Sequence, residues 1–228
     1  MQANDRLALA LDTDDTVEAL RWARDLRDVF GVAKVGLELF TSEGPSIIFA
    51  LREMGYRVFL DLKLHDIPTT VYRCARVIGG FGVELVTLHV QGGSDMLKAG
   101  VEGLGEGARA SGTAIIPVAL GVTFLTSDPK VDPAVFDQRL ETLYSAGCRG
   151  FVSSSAEVAG AKALFPDLLS VVPGIRFGGA QSDDQSRIAT PSAAFAQGAD
   201  LLVVGRSITR APDRAKAIKA LEAELAAI

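Results

Sequence analysis

Eight apolar, strand-like runs recur along the chain at fairly regular spacing, with helix-like segments between them. In order they read RLALALD, GVAKVGLEL, RVFLDLKL, LVTLHV, AIIPVALGVT, GFVSSS, LLSVVPGI and LLVVGRSI. This alternation predicts a parallel sheet with helices packed around it, because each parallel connection needs a crossover segment. Eight repeats favour closure of the sheet into a (β/α)8 TIM barrel, and an open doubly wound sheet is the alternative.

The chain has 228 residues, a length that fits one barrel. Since no linker, low-complexity segment or change in composition divides it, we predict a single domain over residues 1–228. No GxGxxG follows the first strand, so a dinucleotide-binding fold has little support. One long polar stretch, residues 176–191, follows the seventh strand, and a loop of this length is more often functional than accidental.

Composition narrows the classes of function. The net charge of -5 argues against bulk binding to nucleic acid, although it leaves room for a local basic pocket. No apolar run approaches the length of a membrane span, and the first residues do not resemble a secretory leader, so we expect a cytoplasmic protein. Cys74 and Cys148 belong to no CxxC or Cys/His cluster, which predicts reduced, unreactive thiols and no metal site.

The third run ends in charge, as VFLDLKLHDIP. Side chains of a strand alternate between its two faces, so Asp61, Lys63 and His65 share the face opposite the leucines. The leucine face suits packing against the outer helices. The charged face then points into the barrel near the carboxyl end of the strand, where barrel enzymes build their sites.

The same alternation directs charged residues of the first two strands to the barrel interior, since Ala8 and Ala10 share a face with Asp12 and Lys34 shares one with Gly36. We therefore expect a charged cup at the barrel mouth, lined by Asp12, Lys34, Asp61, Lys63 and Asp66. Alternating acids and lysines make buried charge tolerable and perturb pKa values, as in active sites. The competing interpretation is a structural ion-pair network. His89 ends the fourth strand, and a hydrogen-bonded structural role is expected for it.

A phosphate site is predicted at the ends of the last two strands, which read VVPGIR and VVGRSI. Phosphates in TIM barrels often bind at these loops. Gly174 and Gly205 allow close approach of the backbone, while Arg176 and Arg206 can supply bidentate contacts. GRSI is expected to open a helix, and Gln185 in the long loop is a further donor that could fold over the anion.

The residues DLKLHDIPTT, in the pattern DxKxxDIPxT, resemble the orotidine 5′-monophosphate decarboxylases. The resemblance covers essentially the whole chain and includes LALD, KVG, LTS, PGIR, DDQSRIATP and VGRSIT. DxKxxD alone is moderately specific, because related barrel enzymes acting on sugar phosphates share it. The other motifs make the match specific to the decarboxylases.

The resemblance implies decarboxylation of orotidine monophosphate to uridine monophosphate without metal or cofactor. It implies catalytic roles for Lys63, Asp61, Asp66 and Lys34. It assigns substrate contacts to Asp12, Lys34, Thr70, Thr126, Pro173, Arg176, Gln185, Gly205 and Arg206. It also implies a homodimer with shared sites, in which Asp66 and Thr70 reach the partner's substrate.

Two alternatives stay open from the sequence. A magnesium-dependent sugar-phosphate decarboxylase or synthase of the same superfamily would reuse the DxKxxD strand. A catalytically silent barrel that binds nucleotides is the alternative from another class, and the intact Asp61, Lys63 and Asp66 argue against it.

Overall fold

The computed structural model describes residues 3–125, 127–128, 130–177 and 187–226. Within these ranges eight parallel strands close into a barrel in the order of the sequence, with β8 pairing with β1. The strands are β1 Leu7–Ala10, β2 Val32–Gly36, β3 Arg57–Leu64, β4 Leu85–His89, β5 Val118–Val122, β6 Gly150–Val152, β7 Leu169–Val172 and β8 Leu201–Val204. The predicted TIM barrel is confirmed, and the open sheet is excluded.

Helices follow every strand and surround the barrel. They are α1 Thr16–Asp25, α2 Leu37–Glu43, α3 Ser46–Glu53, α4 Pro68–Gly79, α5 Gly93–Ser111, α6 Pro133–Ser145, α7 Ser155–Leu164, α8 Pro191–Ala196, α9 Arg206–Thr209 and α10 Arg214–Ala226. The short α9 begins within GRSI, as expected from the sequence. None of these helices is long and apolar enough to cross a membrane, as far as the chain is described.

Several helices begin at residues that satisfy the free backbone N–H groups of the first turn. The side chain of Asp15 caps α1, that of Asp132 caps α6 and that of Thr190 caps α8. Pro133 and Pro191 occupy the first helical position, where a missing N–H costs nothing. Because these helices start just after the loops at the carboxyl ends of the strands, the caps fix the outer ends of those loops.

The strands separate two layers of apolar side chains, as the alternation predicted. Leu7, Leu9 and Leu11 pack outward against the helices in the larger cluster. Ala8 and Ala10 point inward and pack with the other residues that fill the barrel. Small and apolar side chains therefore fill the interior below the mouth, and the charged residues lie above them.

Two predicted strands were too long. GVAKVGLEL ends as a strand at Gly36, and α2 begins at Leu37 because β2 pairs with β3 no further than Gly36 opposite Asp61. AIIPVALGVT becomes strand only at Val118, because Pro117 lacks the N–H that a ladder requires.

A partly buried polar cluster joins β7, α7 and the residue before β8 at the amino-terminal end of the barrel. One carboxylate oxygen of Asp200 accepts hydrogen bonds from Lys162 Nζ (2.7 Å), the Ser170 N–H (2.8 Å) and Ser170 Oγ (2.9 Å). Burial alone would raise the pKa of Asp200, but these hydrogen bonds and the lysine charge hold that pKa below its usual value. The cluster ties two strands and a helix together far from the barrel mouth.

Both cysteines are free thiols. Burial raises the pKa of Cys148 to about 12 and also raises that of the half-buried Cys74. Since the thiolate is the reactive form, both thiols are unreactive at neutral pH, as predicted.

Candidate active site

A cavity opens at the carboxyl ends of the strands, at the mouth of the barrel. Its floor includes the inward-facing Ala10, Phe59 and Val203, and its walls carry the charged residues. Eight of the predicted site residues line it: Asp12, Lys34, Asp61, Lys63, Pro173, Arg176, Gly205 and Arg206. Residues from β1, β2, β3, β7 and β8 thus converge on one cavity.

The charged cup is a chain of close ion pairs. Lys34 Nζ lies 2.8 Å from Asp12 Oδ1 and 4.0 Å from Asp61 Oδ2. Lys63 Nζ lies 2.9 Å from both carboxylate oxygens of Asp61. Lys34 is only 8% exposed, so these two acids, rather than water, surround its ammonium group. Asp61 is the acid that both lysines share.

Asp61 is the group in the cup whose pKa is most clearly set by its neighbours. Burial acts to raise the pKa of the Asp61 carboxyl group, because it removes water from the charged form. The charges of Lys34 and Lys63, together with hydrogen bonds from Lys63 and Thr87, outweigh burial and lower that pKa. Asp61 is therefore a carboxylate at neutral pH.

The end of β3 departs from regular strand geometry. Leu60 pairs with Val86 and Leu64 pairs with Leu88, so β3 has two more residues than β4 over the same interval. Lys63, within this bulge, has φ 51°, in the left-handed region that residues other than glycine rarely adopt. Alternation along a regular strand predicted the inward direction of Asp61 and Lys63 correctly. It did not predict the bulge, and it was wrong for His65, which follows the end of β3 and is exposed outside the cavity.

The phosphate end is built from the segments after β7 and β8. Gly174 has φ 77°, which explains a glycine there because a side chain would be strained. Arg176 is buried, with Nη1 donating to the Ile175 carbonyl (3.0 Å). Ser207 Oγ donates to the same carbonyl (2.9 Å) and so joins α9 to the segment after β7. Arg206 and Gly205 lie beside them in the cavity wall.

The two ends of the long loop after β7 meet. Ile175 and Ala189 form a parallel bridge, in which the Arg176 N–H donates to the Ala189 carbonyl (2.9 Å). The predicted contact residue Gln185 lies outside the described residues, as does Thr126 in the loop after β5.

The sequence is similar to proteins of one known family. Residues 5–221 match the model of the "Orotidine 5'-phosphate decarboxylase / HUMPS family". The chain belongs to this family. It is 43% identical to "Orotidine 5'-phosphate decarboxylase" of Anaeromyxobacter sp. (strain K), over 99% of this chain and 100% of that protein. It is 44% identical to the protein of the same name from Thermobifida fusca, over 96% of this chain and 95% of the relative.

Solved structures agree with the family. The chain resembles the crystal structure of orotidine 5'-phosphate decarboxylase from Lactobacillus acidophilus with a TM-score of 0.79 and 34% identity, over 96% of this chain and 99% of that one. The enzyme of the same name from Pyrococcus horikoshii OT3 gives a TM-score of 0.78 at 26% identity, over 97% and 100% of the two chains.

The second half of the DxKxxDIPxT motif, residues 66–70, lies outside the cavity of its own chain. Asp66 and Thr70 are both exposed, and Asp66 Oδ1 accepts a hydrogen bond from the Ile67 N–H (2.7 Å). The expectation that Asp66 lines the cup of its own chain is therefore wrong, because β3 ends at Leu64 and the segment beyond it turns outward.

The two histidines stack on each other beside the motif, with ring centroids 5.4 Å apart. His89 is buried, and its Nδ1 accepts a hydrogen bond from the Gln91 N–H (3.3 Å). Burial, followed by the nearby His65 and Arg139, lowers the pKa of His89, so it is neutral at pH 7. The hydrogen-bonded structural role expected for His89 is confirmed, and neither histidine lines the cavity.

Sequence reasoning missed several residues around the cavity. Phe124 and Leu125, in the loop after β5, contribute an apolar wall. Arg187 donates to the Leu125 carbonyl (3.0 Å) and pairs with Glu157 (2.7 Å), so it connects the loops after β5 and β7. For Phe124 and Leu125, the position just beyond the end of β5 was the available signal. Over the described residues, no group of three or more His, Cys, Asp and Glu side chains could hold a metal ion.

Proposed function

We propose that this protein decarboxylates orotidine 5′-monophosphate to uridine 5′-monophosphate and CO2, the last step of de novo pyrimidine synthesis, as a cytoplasmic enzyme. The observation that carries the proposal is the position of Lys63 Nζ, 2.9 Å from both oxygens of Asp61 inside the cavity. A cation held in this way can neutralise negative charge that develops on a carbon atom of the substrate.

In the proposed reaction, the bond between ring carbon 6 and its carboxylate breaks, and CO2 leaves. The electron pair stays on ring carbon 6, where no neighbouring carbonyl delocalises it in ordinary conjugation. The Lys63 ammonium stabilises this carbanion and then donates a proton to it, which leaves a neutral amine that regains its proton from water. Because the protein stabilises the negative charge electrostatically, no electron sink is required, and we propose no metal or cofactor.

Asp61 has two proposed roles. It keeps Lys63 and Lys34 charged and in place, which its ion pairs with both lysines support. Its carboxylate also repels the carboxylate of the bound substrate. This repulsion is relieved in the transition state, where CO2 is departing, so it disfavours the bound substrate relative to the transition state. The first role requires no strain, and the distances from Asp61 to both lysines support it.

The remaining contacts are assigned to other residues of the cavity and to two residues that only the family resemblance names. Asp12 and Lys34, 2.8 Å apart, are proposed to bind ribose hydroxyls. Arg206 and Arg176 are proposed to bind the phosphate, beside Gly205 and Pro173 of the cavity wall. From the resemblance alone, Thr126 is proposed to hold the pyrimidine and Gln185 to contact the phosphate. Phosphate is remote from the bond that breaks, but its binding energy lowers the barrier by ordering the cup.

A homodimer with shared sites would explain the outward-facing part of the motif. Asp66 and Thr70 are exposed, and Ile67 between them has 66% of its surface exposed. What supports a role toward another chain is that these motif residues lie outside the cavity of their own chain. We propose that Asp66 and Thr70 reach the substrate bound to the partner.

A magnesium-dependent sugar-phosphate enzyme is the second candidate, since the matching family also carries the name HUMPS. The relatives cited above favour the orotidine monophosphate reaction, because both carry the decarboxylase name at 43% and 44% identity.

The deciding experiment is turnover of orotidine monophosphate in buffer with EDTA, followed by ultraviolet absorbance. Fast loss of substrate is expected from the wild-type protein. Lys63→Ala should lower kcat by at least about a thousandfold, because it removes both the charge and the proton donor. The variant should remain folded, with a cooperative thermal transition, and should keep its affinity for uridine monophosphate. Wild-type activity that needs magnesium, or near-normal turnover by Lys63→Ala, would contradict the proposal.

A further inference from the structure

The bulge at the end of β3 lies opposite a single threonine on β4. Leu60 pairs with Val86 and Leu64 pairs with Leu88, so Thr87 is the β4 residue that faces the interval containing Asp61 and Lys63. A bulge leaves backbone groups without their regular partners on the neighbouring strand. In this interval the side chain of Thr87 takes over that role.

The Thr87 hydroxyl makes two hydrogen bonds, and both involve the charged motif. Its oxygen accepts from the backbone N–H of Lys63 (2.8 Å) and its proton is donated to Asp61 Oδ1 (2.9 Å). Lys63 Nζ in turn lies 2.9 Å from the same carboxylate oxygen. The three residues therefore form a closed ring of hydrogen bonds, with the hydroxyl at its buried corner.

The backbone that this ring holds is strained. Of the residues that the structure describes, Lys63 alone among those other than glycine has a positive φ, 51°. A left-handed residue with a long side chain persists only where its surroundings fix it, and such residues cluster at active sites. Thr87 is completely buried, so no water competes for its hydroxyl.

We propose that Thr87 is a positioning residue of the reaction, which acts through Lys63 and Asp61 and does not touch the substrate. Its hydroxyl holds Lys63 in the left-handed conformation and orients the Asp61 carboxylate toward the ammonium. The proposal rests on the proposed function, in which that ammonium stabilises and protonates the carbanion. Small displacements of such a group are costly to catalysis, because the charge it stabilises is localised on one atom.

The packing of β4 gives the competing explanation, in which Thr87 only fills space between strands. The two explanations differ in what valine should do. Thr87→Val keeps the shape and removes the hydroxyl, which leaves the Lys63 N–H without this acceptor and Asp61 with one donor fewer. Thr87→Ser keeps the hydroxyl and removes a methyl group. The positioning role predicts a large effect of valine and a small one of serine, and a packing role predicts the reverse.

The experiment compares kinetics of the wild-type protein, Thr87→Val, Thr87→Ser and the control Ser170→Ala. Ser170 is also a buried strand hydroxyl with hydrogen bonds, but it lies at the opposite end of the barrel. Thr87→Val should lower kcat by about tenfold to a hundredfold with KM changed less than about twofold. Thr87→Ser should recover most of kcat, and Ser170→Ala should lower thermal stability without affecting kcat.

The pH profile gives a second readout. Because the hydrogen bond from Thr87 helps to lower the pKa of Asp61, the acid limb of kcat should move to higher pH in Thr87→Val. Wild-type kcat in Thr87→Val, or equal losses in the valine and serine variants, would overturn the proposal. If valine prevents folding, Thr87→Ala tests the same loss of the hydroxyl.

A crystal structure of Thr87→Val separates this inference from the proposed function. Lys63 should leave the left-handed region, or Asp61 should turn away from it, whatever substrate the wild-type enzyme accepts. An unchanged Lys63 φ together with an unchanged pairing between Asp61 and Lys63 would refute the positioning role. Absence of orotidine monophosphate turnover by the wild-type protein would refute the proposed function alone.

Discussion

At the scale of single residues, two acids and two lysines stabilise one another's charges in the cup. Asp61 forms ion pairs with two lysines, and Lys34 forms ion pairs with two acids. Removing one partner of such a set leaves the other charges less well compensated, although solvent screening limits the cost because the side chains of Asp12 and Lys63 are 53% and 33% exposed. Each residue of the cup therefore acts on the others as well as on a substrate.

Arg206 offers a test of the phosphate end at this scale. Arg206→Ala should lower kcat/KM for orotidine monophosphate by at least about a hundredfold, since it removes a charge-assisted contact to phosphate. The affinity for uridine monophosphate should fall as well, whereas the weak affinity for uridine, which lacks phosphate, should not change. Steady-state kinetics and calorimetric titration measure the two effects.

The matched control is Arg210→Ala. Arg210 follows α9 by one residue, is exposed and does not line the cavity, so its loss should leave kcat/KM unchanged. Equal effects of the two substitutions, or an unchanged kcat/KM in Arg206→Ala, would remove the phosphate assignment.

At the scale of secondary-structure elements, α4 and α5 approach so closely that only glycine fits between them. A Cβ atom on Gly107 would lie 1.8 Å from the Arg76 carbonyl oxygen, a backbone atom. Gly107→Ala should force the helices apart and lower the free energy of unfolding by about 1 to 3 kcal/mol. Chemical denaturation measures this change.

Gly105 in the same helix is the control for that change. A Cβ atom there would meet only the guanidinium group of Arg109, a flexible side chain, at 3.2 Å. Gly105→Ala should be neutral or stabilise the protein by up to about 1 kcal/mol, because alanine favours a helix. Similar losses in both variants would show that helix contact is not the cause.

The cluster around Asp200 predicts how stability depends on pH. Asp200→Asn should lower the free energy of unfolding at pH 7 by about 1 to 2 kcal/mol, less than for a fully buried charge because a third of the side chain faces solvent. Folding lowers the pKa of Asp200 from its value in the unfolded chain, near 3.8. The carboxylate therefore stabilises the protein fully at pH values above 3.8, and this contribution is lost as the pH falls through the lower pKa of the folded protein.

Thermal unfolding of wild type and Asp200→Asn between pH 7 and pH 2 tests that sign. The difference between the two proteins should stay constant down to about pH 4 and shrink below it. A difference that grows below pH 4 would contradict the lowered pKa of Asp200.

At the scale of the whole molecule, the proposed dimer predicts that two inactive variants restore each other. Lys63→Ala removes a group of the chain's own site, and Asp66→Ala removes a group of the partner's site. A mixed dimer then contains one intact site and one doubly defective site. Random mixing should recover about a quarter of the wild-type activity, since half the dimers are mixed. Activity is measured after the two variants are unfolded and refolded together.

Mixing Lys63→Ala with Asp61→Ala is the control for this experiment. Both residues serve the site of their own chain, so every site in the mixture keeps one defect and activity should stay absent. Recovery in the control, or none in the first mixture, would argue against shared sites.

Much of this protein was determined by local sequence patterns. The eight alternations predicted the barrel, and the period of two along each strand predicted which side chains point inward. The cup of Asp12, Lys34, Asp61 and Lys63 followed from that period, because the carboxyl ends of parallel strands meet at one mouth. These features depend on the pattern of residues within each strand, so they can be predicted without knowing the register between neighbouring strands.

Only the tertiary structure decided the features that depend on contacts between strands. The bulge in β3 and the left-handed Lys63 arise from the register of β3 against β4, and no period within β3 encodes that register. The hydrogen bonds of Thr87 depend on the same pairing, and the outward position of Asp66 depends on where β3 ends. Such contacts join residues distant in sequence, and their geometry is set by how whole elements pack together.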